Sequence, residues 1–108
     1  MVELIWTEPA LGDLDAIVDY IALDDPNAAA GLLQRVFRHV EQLTAHPASG
    51  SAPRELRGSS YRQIIEPPCR VFYRAEADRV IILHVIRGEM RLRKSKLTGR
   101  GRKPRSAE

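Results

Sequence analysis

A single cysteine, Cys69, stands among the 108 residues, so no internal disulfide can form. That favours a reducing, cytoplasmic setting. The longest apolar runs, such as residues 80–83, are far too short to cross a bilayer. No basic stretch precedes the apolar residues of Met1-Val2-Glu3-Leu4-Ile5-Trp6, so the start does not read as a secretion signal. A phosphate-cradling glycine loop, a nucleophile elbow and a helical two-histidine metal motif are all missing. His39, His46 and His84 lie far apart, and one cysteine cannot build a usual structural zinc site. No metal and no cofactor is therefore expected. Cys69 sits in an apolar run and reads as a small core residue rather than a nucleophile.

Positive charge is scarce in the first half. Residues 1–50 carry two basic side chains, Arg35 and Arg38, against eight acidic ones, a balance of −6. Residues 51–108 carry fifteen basic and six acidic, a balance of +9, and the two make the net +3. Such asymmetry suits nucleic acid or an acidic protein segment. The plainer alternative is a solvated surface with a disordered basic tail. Eight of the fifteen basic residues lie in 91–108. Residues 98–105 there are expected to be disordered, giving a domain over 1–91 and a flexible tail over 92–108.

The patterning predicts one small α+β domain in the order β-α-α-β-β-β. Residues 2–6 read as a strand. Thr7 can cap a helix with Pro9 in its first turn, and Leu11, Leu14, Ile17, Val18 and Ile21 follow at helical spacing. Asp25-Pro26 starts a second helix whose stripe runs from Ala29 to Leu43. The short link predicts a helical hairpin. Residues 46–60 are rich in Pro, Ser and Gly and read as a loop. Strands are expected over 61–66, 69–74 and 80–86, joined as antiparallel hairpins into a small twisted sheet with the helices on one face.

Alternation puts Arg70, Phe72 and Arg74 on one side of the middle strand and Cys69, Val71 and Tyr73 on the other. On the last strand it groups Ile81, Leu83, Val85 and Arg87, but both faces are apolar, so the pattern does not decide which is inward. The chemically informative cluster is arginine: Arg54 and Arg57 in the loop, Arg62, Arg70 and Arg74 on adjacent strands, Arg87 at the end of the last. Guanidinium groups bind phosphates bidentately, and projected from neighbouring strands these would make one cationic patch. Equally, they could be exposed strand residues or partners for Glu55, Glu66 and Glu76.

The order of elements, with Ala10-Leu11-Gly12-Asp13-Leu14-Asp15-Ala16-Ile17, His46-Pro47, Leu56-Arg57-Gly58, Tyr61-Arg62-Gln63, Cys69-Arg70-Val71-Phe72-Tyr73-Arg74 and Val80-Ile81-Ile82-Leu83-His84-Val85-Ile86-Arg87-Gly88, resembles the RelE/ParE toxin superfamily of bacterial toxin–antitoxin modules. The matching features span residues 2–91. The resemblance implies a growth-inhibiting toxin, of the kind linked to plasmid stabilization, bound in a hetero-oligomer by a cognate antitoxin whose acidic and apolar segment folds on binding. It implies a target that is either DNA gyrase, as for ParE-like members, or mRNA in the ribosomal A site, as for RelE-like ones. In the nuclease case Arg70 matches the arginine that RelE-like members place at the phosphate, with Arg62 and Arg87 as further candidates. Arg57, Arg62, Arg74 and Arg91 are the expected target or antitoxin contacts. After His84 the chain has no His and no Tyr. That leaves no obvious acid or base near the C-terminal edge. Together with the long hairpin, this favours gyrase inhibition over mRNA cleavage. A non-toxic nucleic-acid-binding module using the basic tail is the remaining alternative.

Overall fold

The computed structural model describes residues 2–88, 90, 92–93 and 95–100. Strand β1 (Glu3–Trp6) leads into α1 (Glu8–Ala22), and α2 (Pro26–Glu41) follows after a short turn. Then come β2 (Tyr61–Glu66), β3 (Cys69–Ala75), β4 (Arg79–Arg87) and a short α3 (Ser95–Thr98). The caps expected from sequence form. The Thr7 hydroxyl accepts from the Ala10 amide at 3.3 Å and donates to the Ile82 carbonyl at 2.8 Å, tying the start of α1 to the sheet. Asp25 accepts from the Ala28 amide at 3.0 Å and Pro26 opens α2.

The four strands are ordered β1-β4-β3-β2, with β1 parallel to β4 and the other two pairings antiparallel. The sheet is thus mixed, and β1 pairs with β4 only as far as Ile82. The helical hairpin covers one face. Leu14, Leu32, Val36 and Val40 pack there on Ile64, Cys69, Val71, Tyr73, Val80, Ile82 and Val85. Fully burying a leucine or valine contributes about 1.5–3 kcal/mol, so this layer supplies most of the driving force.

Strict alternation on β4 fails. Phe72 pairs with His84 while Tyr73 pairs with Ile82, so Leu83 is an extra residue in a β-bulge. The bulge shifts the pattern by one. Leu83 lies with Ile81 on the face away from the hairpin, but Val85 is on the hairpin face and Ile86 is not. The expected set of Ile81, Leu83, Val85 and Arg87 is thereby split in two.

The second face is covered as well. Phe72, Ile81, Leu83 and Ile86 form another buried cluster with Leu92 and Leu97 of the C-terminal segment, and Leu56 and Tyr61 pack at its margin. Leu92 and Leu97 thus anchor the described part of the C-terminal segment, residues 92–93 and 95–100, on the sheet. Residues 101–108 lie outside the described residues.

Tyr73 points into the hairpin-side core, as expected from alternation. Its hydroxyl donates to the Pro47 carbonyl at 2.8 Å and accepts from the Gly50 amide at 2.9 Å, pinning the loop after α2. A Cβ at Gly50 would lie 2.6 Å from the Gln63 carbonyl oxygen and closer still to the Tyr73 hydroxyl oxygen, so only glycine fits this approach. Tyr73→Phe takes the hydroxyl partner from the buried Gly50 amide and the part-buried Pro47 carbonyl. It is expected to lower stability by about 1–2 kcal/mol, read as a shifted denaturant midpoint.

Candidate functional site

The sheet does not gather the arginines into one patch. β2 and β3 pair Arg62 with Tyr73 and Ile65 with Arg70, which puts Arg62 on the hairpin face and Arg70 on the opposite one. Arg62 reaches back to the loop, donating to the Ala48 carbonyl at 3.2 Å and the Gly50 carbonyl at 2.8 Å. Arg87 pairs with Cys69, on the hairpin face, and its guanidinium lies over the Tyr20 ring of α1 at 5.5 Å. Arg74 shares the Arg70 face but sits at the far end of β3, ion-paired with Glu76 at 2.9 Å. Arg57 is exposed in the loop, and Arg91 lies outside the described residues.

Arg70, the leading candidate, is 7% exposed and held on several sides. Its guanidinium makes a bidentate pair with Glu55 at 2.9 and 3.1 Å and donates twice to the Gln63 side-chain oxygen at 2.8 and 3.1 Å. Its plane lies 4.9 Å from the Phe72 ring centre. The hydrogen bonds from Arg70 hold the Glu55 carboxyl at about 2, well below the ordinary 4.5. Two of the three acidic partners named from the sequence are thus used, Glu55 by Arg70 and Glu76 by Arg74 and Arg79. The third, Glu66, instead meets Arg35 and His39 of α2. Burial pushes the Cys69 thiol up, which fits a core residue.

A different constellation forms where β1 ends and β4 runs on past it with no further partner strand on that side among the described residues. One carboxylate oxygen of Asp13 accepts from the Val85 amide at 3.2 Å, from Arg100 at 2.7 Å and from His84 Nδ1 at 2.6 Å. Arg100 also donates to the Leu83 carbonyl at 3.0 Å. An α1 side chain and a C-terminal side chain thereby take the backbone positions that a neighbouring strand would occupy. The short Asp13 contact assigns the proton to His84 Nδ1. The 2.7 Å approach of Arg100 to that nitrogen is then two donors meeting one carboxylate, not a hydrogen bond. Burial alone would push the Asp13 carboxyl up, but the hydrogen bonds from His84, Arg100 and Val85 outweigh it and hold it below its usual value. His84 also stacks on Phe72 at 6.1 Å.

Beside this cluster opens a cavity of 360 Å³ between α1, β4 and the C-terminal segment. Val85, Ile86 and His84 are buried at its base, and Ala16, Met90, Arg93 and Lys96 are exposed at its margin. Sequence reasoning missed Asp13, His84 and Arg100 as a group. They come from three distant segments, and their only prior signal was His84, a polar residue inside the apolar run 80–86.

Comparison with known proteins places these features among toxins. The family model described as the ParE toxin of the type II toxin–antitoxin system, parDE, matches residues 4–92. The chain is 37% identical over 73 residues to the putative toxin Y4kP of Sinorhizobium fredii, covering 68% of this chain and 75% of that protein. It is 32% identical to toxin RelE2 of Caulobacter vibrioides over 81% of this chain and 92% of the relative. Toxin ParE3 of the same organism is 31% identical over 85% and 92% of the two chains. Among solved structures, the chromosomal ParDE system from P. aeruginosa matches with a TM-score of 0.66 and 29% identity, over 82% of this chain and 98% of that one.

Proposed function

The chain belongs to the ParE toxin family of type II toxin–antitoxin systems, and from that premise we propose that it arrests growth by binding and inhibiting DNA gyrase. The family implies a cognate antitoxin as its partner. No helix among the described residues is long and apolar enough to cross a membrane.

The observation that carries the gyrase reading is the position of Arg70. Phosphoryl chemistry at one scissile bond needs several cationic groups converging on it. Arg70 is clamped by Glu55 on one face of the sheet, while Arg62 and Arg87 serve the other. His84 has its Nδ1 proton directed at Asp13 and its ring stacked on Phe72. None of these groups stands ready as a paired acid and base on a shared phosphate. In this reading the arginines build the surface and the helical hairpin presents it.

Purified toxin, free of antitoxin, is expected to suppress supercoiling by gyrase and to raise the yield of cleaved DNA–gyrase complex. Unchanged supercoiling and unchanged cleavage, combined with codon-linked mRNA cuts in a translating extract, would favour the nuclease alternative.

A further inference from the structure

The geometry points to a two-fold contact between copies of this chain, in which α2 packs antiparallel on a second α2 and each Phe37 fills a socket at the C-terminal end of the other helix. This goes beyond the gyrase reading, which fixes no copy number. Phe37 is a large apolar side chain left 40% exposed on α2. It is braced from behind, where the partly buried Trp6 of β1 meets its ring edge-on at 5.1 Å. A braced aromatic projecting from a helix is the kind of side chain that anchors protein interfaces.

The socket lies beside this ring. A cavity of 460 Å³ is lined by Phe37, Arg38, Glu41, Gln42, Thr44 and Ala45, where α2 runs on into a 3₁₀ turn over Gln42–Thr44. Positions 38, 41, 42 and 45 follow the spacing i, i+3, i+4 and i+7. Residues so spaced form the four-cornered hole into which a side chain of a facing helix inserts. When two copies of α2 run antiparallel with Phe37 opposite Gln42, each Phe37 enters the hole of the other copy. One two-fold axis satisfies both insertions, because knob and hole lie on the same helix.

The charges obey the same register. Arg38 and Glu41 are exposed, and neither side chain forms a hydrogen bond or ion pair among the described residues. They lie three positions apart on α2 yet do not pair with each other. Antiparallel packing centred between them sets Arg38 against the partner's Glu41, and Glu41 against the partner's Arg38. The rim is neutral in sum, so it suits neither a polyanion nor a strongly basic surface and fits a copy of itself. The cavity on the other side of Arg38, lined also by Arg35, His39, Gln42 and Glu66, offers no such match. It has no large apolar side chain, and its carboxylate already pairs with Arg35 and His39.

Sedimentation velocity on the purified full chain, free of antitoxin, reads the contact. The chain is expected to pass from monomer to dimer as its concentration rises from micromolar to hundreds of micromolar, as befits a small transient interface. Ala45→Arg, at an exposed position, blocks the hole and is expected to weaken the dimer about tenfold or more. Arg38→Glu and Glu41→Arg are each expected to do the same, since each sets like charges against one another. Combining the two substitutions in one chain is expected to restore the dimer. Mixing the two single variants is expected to give a heterodimer although neither associates with itself, because every charge contact in it is again between unlike partners. Circular dichroism checks that each variant is folded. The proposal is overturned if the parent stays monomeric throughout, if Ala45→Arg leaves the dimer intact, or if neither the double variant nor the mixture restores it. A monomeric parent whose complex with antitoxin is lost in Ala45→Arg overturns it in favour of the antitoxin as occupant of the socket. Because gyrase does not enter the measurement, failure here leaves the gyrase reading standing, and failure of the gyrase assay leaves this result standing.

Discussion

Arg70→Ala is expected to destabilise the chain by about 3 kcal/mol, the low end of the cost of removing one partner of a buried ion pair. The substitution deletes a bidentate pair, two bonds to Gln63 and the guanidinium stacked on Phe72, and it leaves the Glu55 carboxylate without its hydrogen-bonded cation. The Glu55 side chain is 27% exposed, so water recovers part of the loss and the low end applies. For a domain of this size the melting temperature should fall on the order of 10–20 °C. The pH dependence identifies the cause. The folded-state pKa of Glu55 is about 2 against an ordinary 4.5. Its contribution is therefore complete above about 4.5 and is lost as pH falls toward 2. The gap between parent and variant should narrow over that window in thermal melts. A gap constant from pH 6 to pH 2 would contradict the pairing. Loss of toxicity in Arg70→Ala alone is thus no evidence of chemistry, since the variant loses fold stability first.

Asp13→Ala is expected to cost about 2 kcal/mol, because the Val85 amide, Arg100 and His84 all lose the same acceptor. Its Asp13→Asn counterpart keeps an oxygen for the amide but drops the charge, so it should cost roughly half as much. The signature is local. Amide exchange at Val85 and across residues 95–100 should accelerate more than exchange at Val71 in the core. The folded-state pKa of Asp13 lies below its usual value, so this contribution too is present above the ordinary carboxylate range and declines on acidification. Uniform acceleration across the whole sheet would show that Asp13 supports the fold generally, without fastening the C-terminal segment in particular.

The helices were legible because their signals are local. Thr7 with Pro9, and Asp25 with Pro26, mark starts that need no knowledge of the rest of the chain. Strand β2 falls at the expected residues, since Pro67-Pro68 ends it. The bulge at Leu83 was not legible, because an extra residue in β4 shows only against its partner strand. That one residue moves Arg87 onto the hairpin face, opposite Arg70, while Arg62 already lies on that face through the regular β2–β3 pairing.

The second covered face had a signal in plain view. Residues 80–83 are apolar without alternation, the pattern of a strand buried on both sides. Its cover, α3, is only four residues long and sits in a run of basic residues that hides Leu92 and Leu97. The Arg70–Glu55 pair was one of two readings open at the sequence level. Choosing it required the turn at Arg54–Leu56 to be placed against the sheet, which depends on tertiary packing.

Replacing both partners of the central pair, Arg70→Met with Glu55→Leu, separates structure from chemistry most directly. Apolar replacement of a whole buried pair is often neutral or stabilising, whereas removing one partner is not. With the melting temperature within a few degrees of the parent, the double variant is expected to arrest growth when its expression is induced without antitoxin. A double variant that folds equally well yet leaves growth unaffected would contradict the account and return Arg70 to the target or the phosphate.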